Sequence, residues 1–270
     1  MLKQRILTAI PLAALVVWGI LTQPSDVIFY ALTAIIVISG WEWARLSGIT
    51  NTVLRLVYAV AIGALVYYSQ NYIVNNPDLL KPILIITVIF WLIAIFHMFS
   101  KGPQENAKDF SVFKVVLGII VLVPPVLALM HIREQSSLWL FYCLSIIWVA
   151  DIGAYFSGKK FGKNKLAPKL SPGKTKEGIY GAVFATALYS YFASIVFELQ
   201  TIESFMLLII AALATFISVA GDLFFSLLKR EQNLKDTGNI LPGHGGILDR
   251  IDSVTSSAPL FALLLGLVIF

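Results

Sequence analysis

Nine apolar stretches constrain the fold of this chain more than any other feature of its sequence. Each approaches the roughly 20 apolar residues that a helix needs to cross the hydrocarbon core of a bilayer. Backbone polar groups in that core must be satisfied within the protein, so each stretch is expected to be helical. The sequence therefore predicts an all-α polytopic integral membrane protein with about nine transmembrane helices, at residues 6–22, 26–46, 53–70, 82–99, 111–130, 138–157, 178–198, 204–228 and 253–270.

The composition agrees with this prediction and narrows the chemistry. The chain is 58% hydrophobic and 13% charged, whereas soluble domains are roughly 45–50% apolar and about 25% charged, so a water-soluble fold is excluded. The single cysteine, Cys143, allows no internal disulfide, and three scattered histidines disfavour a dedicated zinc site. Pro124 and Pro125 fall inside the fifth stretch and predict a kink or a local unwinding there.

The distribution of basic residues predicts the orientation of the spans. The N-terminus resembles a signal peptide, but no small-residue cleavage site follows, so we expect residues 6–22 to be retained as the first span. With nine spans, 18 of the 20 Lys and Arg residues lie on one side, and Lys81 and Arg133 lie on the other. By the positive-inside rule, the N-terminus and two long charged loops (158–178 and 229–252) are expected in the cytoplasm, and the C-terminus outside the cytoplasmic (inner) membrane.

The loop at residues 158–178 carries seven lysines and one acidic residue. Anchoring to anionic lipid would explain the lysines, at roughly 1 kcal/mol for each one near the surface. The segment Ser171-Pro-Gly-Lys-Thr175 adds a turn, a glycine, an ammonium group and a hydroxyl, which are components of a phosphate-binding loop. The spacing of a Walker A motif is absent. We predict that this loop binds phosphates or anionic head groups, with candidate residues Lys165, Ser171, Lys174, Thr175 and Lys176.

Two acidic residues, Asp151 and Asp222, fall within apolar stretches. An aspartate at the centre of a spanning helix costs roughly 2.5–3.5 kcal/mol on insertion scales, so such residues normally line a cavity and have a partner. Gly153 and Gly221 flank them and would let another backbone or a ligand approach. A structural hydrogen bond between helices is the alternative interpretation of each aspartate.

A second acidic pair, Asp249 and Asp252, is spaced three residues apart. This spacing puts both carboxylates on one face of a helix, where they repel each other unless a cation lies between them. A hard divalent cation such as Mg²⁺, which prefers oxygen ligands, is the simplest partner. The same spacing also occurs on ordinary solvated helices, so the pair alone does not establish a metal site.

The segment between these acidic groups is basic and rich in glycine. Lys229 lies two helical turns after Asp222, so both are expected to face one pocket. The run Ile240-Leu-Pro-Gly-His-Gly-Gly246 predicts a tight loop that exposes backbone N–H groups, with His244 at its tip. Such a loop suits phosphates or metal-bound water, although His244 is equally interpretable as a turn residue that bonds to the backbone.

Residues 226–252 closely resemble the signature of the phosphatidate cytidylyltransferases, or CDP-diacylglycerol synthases. The segment reads Ser226-Leu-Leu-Lys-Arg-Glu-Gln-Asn-Leu-Lys-Asp-Thr-Gly-Asn-Ile-Leu-Pro-Gly-His-Gly-Gly-Ile-Leu-Asp-Arg-Ile-Asp252. Asp151-Ile-Gly-Ala-Tyr155 and Ser171-Pro-Gly-Lys-Thr-Lys-Glu-Gly178 resemble two further motifs of the family, in the expected order. The resemblance departs at Phe225, where the family pattern has an acidic residue.

The resemblance implies an enzyme that makes CDP-diacylglycerol and pyrophosphate from CTP and phosphatidate with Mg²⁺. The lipid phosphate would attack the α-phosphorus of CTP, with basic side chains and one or two divalent ions offsetting charge; a monovalent ion such as K⁺ is an open alternative. The expected catalytic residues are Asp222, Lys229, Arg230, Lys235, Asp236, His244, Asp249, Arg250 and Asp252. The expected metal ligands are Asp151, Asp222, Asp249 and Asp252.

Other functions remain open from sequence. A CTP-dependent lipid kinase, or another lipid-phosphate nucleotidyltransferase, would use similar residues, and a kinase would release CDP instead of pyrophosphate. Intramembrane acids also fit an ion-coupled transporter, and a non-catalytic scaffold is a further alternative. The expected partners are CTP, phosphatidate and membrane lipids, without nucleic acid, and a homodimer is left open. We expect residues 1–100 to be a transmembrane scaffold and residues 101–270 to be the catalytic region.

Overall fold

The computed structural model describes residues 2–101, 110–241 and 243–270. Within these ranges the chain forms nine long helices and one hairpin, joined by short connections. The helices are α1 (Leu2–Thr22), α2 (Ser25–Leu46), α3 (Thr52–Asn75), α4 (Leu80–Lys101), α5 (Val112–Gln135), α6 (Ser137–Phe161), α7 (Lys176–Val196), α8 (Thr201–Glu231) and α9 (Leu248–Val268). A 3₁₀ turn, Pro77–Leu79, leads into α4, and β1 (Lys165–Ala167) pairs antiparallel with β2 (Ser171–Thr175).

Eight of the described helices, α2 to α9, are long and apolar enough to cross a membrane. The remaining helix, α1, contributes the apolar segment Ile10–Thr22. The predicted all-α polytopic membrane fold is therefore confirmed. Among the charges counted for the orientation, Lys108 lies outside the described residues, as do the side chains of Lys3, Arg5 and Lys101.

Two long-range hydrogen bonds show which helix ends lie together. The backbone N–H of Ser111, just before α5, donates to the carbonyl of Ser47, just after α2, at 3.1 Å. At the other end of α5, the guanidinium of Arg133 donates to the carbonyl of Gln23, between α1 and α2, at 2.8 Å. Helices α2 and α5 are thus antiparallel, as the second and fifth members of a series of alternating spans should be.

Both charged loops are shorter than predicted. Helix α6 continues to Phe161 and α7 begins at Lys176, so the lysine loop proper is residues 162–175 and contains the β1–β2 hairpin. Helix α8 continues to Glu231 and α9 begins at Leu248, so the second loop is residues 232–247. The predicted boundaries followed the last apolar residue of each stretch. The helical backbone continues past that point into the polar residues that follow.

Helix α5 is not interrupted by its two prolines. Pro124 and Pro125 are both buried, and the helix runs from Val112 to Gln135 without a break. The predicted local unwinding is therefore wrong. Helices α2, α3, α4, α6 and α9 all pack against α5, and such neighbours let a membrane helix tolerate proline in its interior.

Small residues bring the helices that carry the acidic groups into close contact. A Cβ at Gly153 of α6 would lie 2.7 Å from the carbonyl oxygen of Gly181 in α7. A Cβ at Gly221 of α8 would overlap the hydroxyl of Ser256 and lie 3.1 Å from the carbonyl oxygen of Asp252, both in α9. The prediction that these two glycines admit another backbone is confirmed. Close approach of this kind is typical of helix packing in membranes.

The packing at Gly118 generates a stability prediction. A Cβ there would overlap the hydroxyl of Tyr58 and the indole nitrogen of Trp43, which donate to α5 carbonyls at 2.9 and 2.8 Å. We predict that Gly118→Ala costs about 1–3 kcal/mol, because overpacking must break these contacts. The thermal unfolding midpoint in detergent measures the effect. Gly266→Ala is the matched control, since its nearest neighbour would be His131 at 4.0 Å; equal midpoints in the two variants would contradict the prediction.

Candidate active site

The hairpin is fixed to α8 by an ion pair between Lys174 and Asp222. The ammonium nitrogen of Lys174 lies 2.5 Å from Oδ2 of Asp222 and donates to the carbonyl of Val219 at 3.4 Å. The two side chains are 25% and 32% exposed, so the pair remains accessible. Two residues that the sequence analysis placed on separate segments, in the lysine loop and in the eighth span, therefore meet directly.

Two further carboxylates face the same region. Asp252 of α9 is 9% exposed, and it is close enough to Asp222 for electrostatic repulsion, because α8 and α9 touch at Gly221. Asp151 of α6 interacts electrostatically with Lys174, Asp222 and Arg250. Carboxylates from three helices thus converge where the hairpin rests on α8. The ammonium groups of Lys229 and Lys174 oppose the repulsion of Asp252 by Asp222.

Asp249 occupies a different environment from Asp252, although both lie in the first turns of α9. Its Oδ1 accepts a hydrogen bond from the ammonium of Lys229 at 2.7 Å. Its Oδ2 accepts from the backbone N–H groups of Thr237 and Gly246 at 2.8 and 3.0 Å, and from the Thr237 hydroxyl at 3.0 Å. The charge of Asp249 is therefore balanced by protein donors. The ammonium group of Lys229 thus pairs with Asp249, and the predicted cation between Asp249 and Asp252 stays a prediction.

Whether a divalent ion can bind here depends on how the acidic side chains are grouped. In the part of the chain that the structure describes, no three or more His, Cys, Asp or Glu side chains are grouped closely enough to hold a metal. The four aspartates predicted as ligands are thus not assembled into one cluster. Asp222 and Asp252 have the type of oxygen donor that Mg²⁺ takes, since this ion is commonly held by one or two carboxylates together with waters and substrate phosphates. The identity and number of the ions, K⁺ included, stay predictions.

The predicted glycine loop forms a tight turn shortly before α9 begins. The N–H of Leu241 donates to the carbonyl of Gly245, and the N–H of His244 donates to the carbonyl of Leu241, each at 2.9 Å. Gly243 and Gly245 have φ angles of 78° and 81°, in the left-handed region that glycine adopts without strain. Pro242, which the sequence analysis included in this turn, lies outside the described residues.

A cavity of about 690 Å³ opens beside this turn. One of its walls is braced by Arg250, whose guanidinium donates to the carbonyl of His244 at 2.8 Å. The lining contains four of the predicted catalytic residues and is formed by Lys235, Asp236, Asn239, Leu241, Gly243, His244, Gly245 and Arg250. Arg230 is exposed, and its guanidinium donates to the carbonyl of Leu234 at 3.2 Å. The cavity is therefore polar and bears cationic groups.

The other predicted residues of the lysine loop have mixed roles. Thr175 is 6% exposed, and its hydroxyl accepts the N–H of Gly178 at 3.1 Å as the N-cap of α7. Thr175 therefore has a structural role in capping α7, and its predicted contact with a phosphate stays a prediction. Lys165 lies opposite Thr175 in the hairpin, Ser171 begins β2, and Lys176 begins α7. Lys174 is the residue of this set that reaches the carboxylates.

Sequence reasoning missed Glu42 of α2, which contacts the second loop and is 1% exposed. Its carboxylate accepts hydrogen bonds from the N–H groups of Ile247 and Leu248 at 3.1 and 2.8 Å, and from the Thr237 hydroxyl at 2.9 Å. The position of Glu42 in the sequence could have indicated a role, because it lies inside an apolar stretch. Burying a charged side chain there costs free energy, as it does for Asp151. The region predicted as scaffold therefore contributes a buried carboxylate to the loop.

Phe225 lies in α8, three residues after Asp222. It is completely buried, and its ring packs edge-on against Trp43 of α2 with centroids 5.7 Å apart. Its side chain thus contributes to the aromatic contact between α8 and α2.

Comparisons with known proteins agree with the motifs. Residues 3–268 match the model of the cytidylyltransferase family. The chain is 34% identical to a phosphatidate cytidylyltransferase of Pseudomonas aeruginosa over 98% of this chain and 97% of the relative. It is 35% identical to one from Haemophilus influenzae over 97% and 98%, and 32% identical to one from Thermotoga maritima over 99% and 98%. Since these matches span nearly the whole chain, the chain belongs to the cytidylyltransferase family, whose members are nucleotidyl-transferring enzymes.

Proposed function

We propose that the protein transfers a cytidylyl group from CTP to phosphatidate, giving CDP-diacylglycerol and pyrophosphate. The observation that carries this proposal is the proximity of Asp222, Asp252 and Lys174, in a protein whose polar cavity is lined by Lys235, His244 and Arg250. The full-length relatives named for this activity support it. Nucleotidyl transfer needs charge neutralisation and in-line positioning, with little covalent help from the protein. Carboxylates, an ammonium group and a polar cavity supply those requirements.

The proposed reaction is a single displacement at phosphorus. A phosphate oxygen of phosphatidate forms a bond to the α-phosphorus of CTP, and the bond from that phosphorus to the bridging oxygen of the β-phosphate breaks. The electron pair leaves with pyrophosphate. A phosphate monoester has a second pKa of about 6, by analogy with phosphoserine, so the attacking group is already largely ionised at neutral pH. No strong general base is required, and His244 has a positioning role in this scheme.

Different side chains are assigned to the metal ion and to the phosphate groups of the substrates. Asp222 and Asp252 would hold Mg²⁺, which when bound neutralises charge on the reacting phosphates. Lys174 is placed to contact a phosphate that approaches Asp222, and it already lies 2.5 Å from that carboxylate. Lys235 and Arg250 line the cavity and would offset charge on the triphosphate.

The position of Asp151 supports a lipid substrate. On α6 it is followed by the apolar side chains of Ile152, Tyr155 and Phe156, which are 57%, 60% and 65% exposed. An exposed apolar surface on a membrane helix faces lipid. The acyl chains could therefore remain in the bilayer while the phosphate reaches the carboxylates. We propose that this end of the bundle faces the cytoplasm at a bacterial inner membrane, where CTP is available. The reason is the positive-inside rule, because a chain with nine spans would have 18 of its 20 Lys and Arg residues on that side.

Product analysis tests the proposed function directly. Purified protein with CTP, phosphatidate and Mg²⁺ is expected to release pyrophosphate and form CDP-diacylglycerol in equal amounts. Omission of phosphatidate, or chelation of the metal, should stop both products. Release of CDP without pyrophosphate would establish a lipid kinase instead, and turnover of neither substrate would favour a transporter.

The two aspartates of α9 are expected to differ in their effects on stability. Asp252→Asn should lower kcat by about 100-fold or more through loss of a metal ligand, yet leave the unfolding midpoint unchanged or raised, because repulsion by Asp222 is relieved. Asp249→Asn should lower the midpoint, since breaking a buried pair costs about 3–5 kcal/mol. Calorimetry with and without Mg²⁺ checks both variants. A fall in midpoint for Asp252→Asn, or retained activity, would remove the ligand assignment.

Substitution of Lys174 distinguishes a specific contact with phosphate from a general attraction of the lysine loop to anionic lipid. Lys174→Ala should lower kcat/KM by about 10- to 100-fold through loss of a phosphate contact. Lys169→Ala is the charge-matched control, because Lys169 is exposed in the same hairpin, and it should stay within about twofold of the unsubstituted protein. Steady-state kinetics on mixed micelles measures both variants. Equal losses would show that the lysines act together as an anchor.

A further inference from the structure

We infer that Glu42 is a positioning residue for the transfer reaction, acting through the start of α9 on Asp249 and Asp252. The inference rests on the proposed function and extends the site to α2. Glu42 does not line the cavity described above. Its contribution is the placement of the backbone from which both aspartates extend.

The carboxylate of Glu42 binds the N-terminal end of α9. The first N–H groups of a helix have no acceptor within the helix, and this end carries a partial positive charge. Ile247 and Leu248 donate two such groups to Oε1 and Oε2 of Glu42, at 3.1 and 2.8 Å. An acceptor 206 residues away in the chain thus fixes where α9 begins, and Asp249 is the next residue.

Two glycines of the loop provide independent support. A Cβ at Gly238 would overlap Oε1 of Glu42, and a Cβ at Gly246 would overlap both of its carboxylate oxygens. Neither glycine has a positive φ, unlike Gly243 and Gly245, so backbone conformation does not explain them. The space that the Glu42 carboxylate occupies explains why these two positions lack a side chain. The loop is therefore shaped around this side chain.

A hydrogen-bonded chain joins Glu42 to the cationic group beside α9. The Thr237 hydroxyl lies 2.9 Å from Oε2 of Glu42 and 3.0 Å from Oδ2 of Asp249. A hydroxyl has one proton to donate, so the two carboxylates share it. The other oxygen of Asp249 binds Lys229 at 2.7 Å. A change at Glu42 must therefore alter Asp249 and, one turn further along α9, Asp252.

Three variants of the full-length protein test the inference. Glu42→Gln keeps the volume but turns an NH₂ group toward at least one of the three donors, which breaks the arrangement. Gly238→Ala keeps the glutamate at position 42, but the new methyl group would overlap Oε1 of that side chain and displace the carboxylate. Ser39→Ala is the matched control, because Ser39 is equally buried on α2 and its hydroxyl bonds within α2, to Ile35.

The measurements are kcat and KM, together with the rise in unfolding midpoint caused by Mg²⁺ and CTP. For Glu42→Gln and Gly238→Ala we expect kcat per folded molecule to fall at least about tenfold, with KM within about threefold, and the ligand-induced rise to shrink. Ser39→Ala should match the unsubstituted protein in both measurements.

Several results would overturn the inference. One is a variant with a lower midpoint but unchanged kcat and ligand-induced rise, which would reduce Glu42 to a structural link between α2 and α9. Another is an equal loss of kcat in Ser39→Ala. If Glu42→Gln does not fold, unchanged kcat in Gly238→Ala overturns the inference. Absence of pyrophosphate release from the unsubstituted protein would refute the proposed function instead, while the ligand-induced rise would still decide the role of Glu42.

Discussion

A carboxylate inside an apolar helix bundle is costly unless donors surround it, and the polar end of this protein is organised by how that cost is met. Glu42 is satisfied by backbone N–H groups and a hydroxyl. Asp249 is satisfied by an ammonium group, two N–H groups and the same hydroxyl. These bonds fix α2, α8, α9 and the loop at residues 232–247 relative to one another. The loop can be rich in glycine and still be ordered, because buried acceptors hold its backbone.

Close packing of small residues is the second condition for this arrangement. Gly221 lets α8 approach α9 closely enough for Asp222 to face Asp252, and Gly153 lets α6 approach α7 beside Asp151. Without an apolar driving force between helices in lipid, such contacts and interhelical hydrogen bonds provide the association. The convergence of acidic groups therefore depends on glycines that do not themselves bind a substrate.

The helices and the general location of the site could be predicted from the sequence, because long apolar stretches and charged segments are local features. Which side chains contact one another within the site could not be predicted. Helical spacing alone made Asp249 and Asp252 look like equivalent partners of one ion, whereas the end of α8 brings Lys229 to Asp249 alone. Glu42 and Thr237 are separated by 195 residues, and no local pattern reports such a contact. The hairpin was also missed, since strands of three and five residues are too short to show an alternating pattern.

The different surroundings of Asp249 and of the pair Asp222 and Asp252 favour separate roles within the proposed reaction. Asp249 has its oxygens occupied by protein donors, so it has little capacity left for an ion and serves to orient the loop and Lys229. Asp222 is paired with Lys174 of the hairpin, and Asp252 is repelled by Asp222 and attracted by Lys229 and Lys174. A cation that binds between them would remove that repulsion and release Lys174 toward a phosphate. In the proposed reaction this repulsion would favour the binding of a metal ion, a balance between stability and function that is common at active sites.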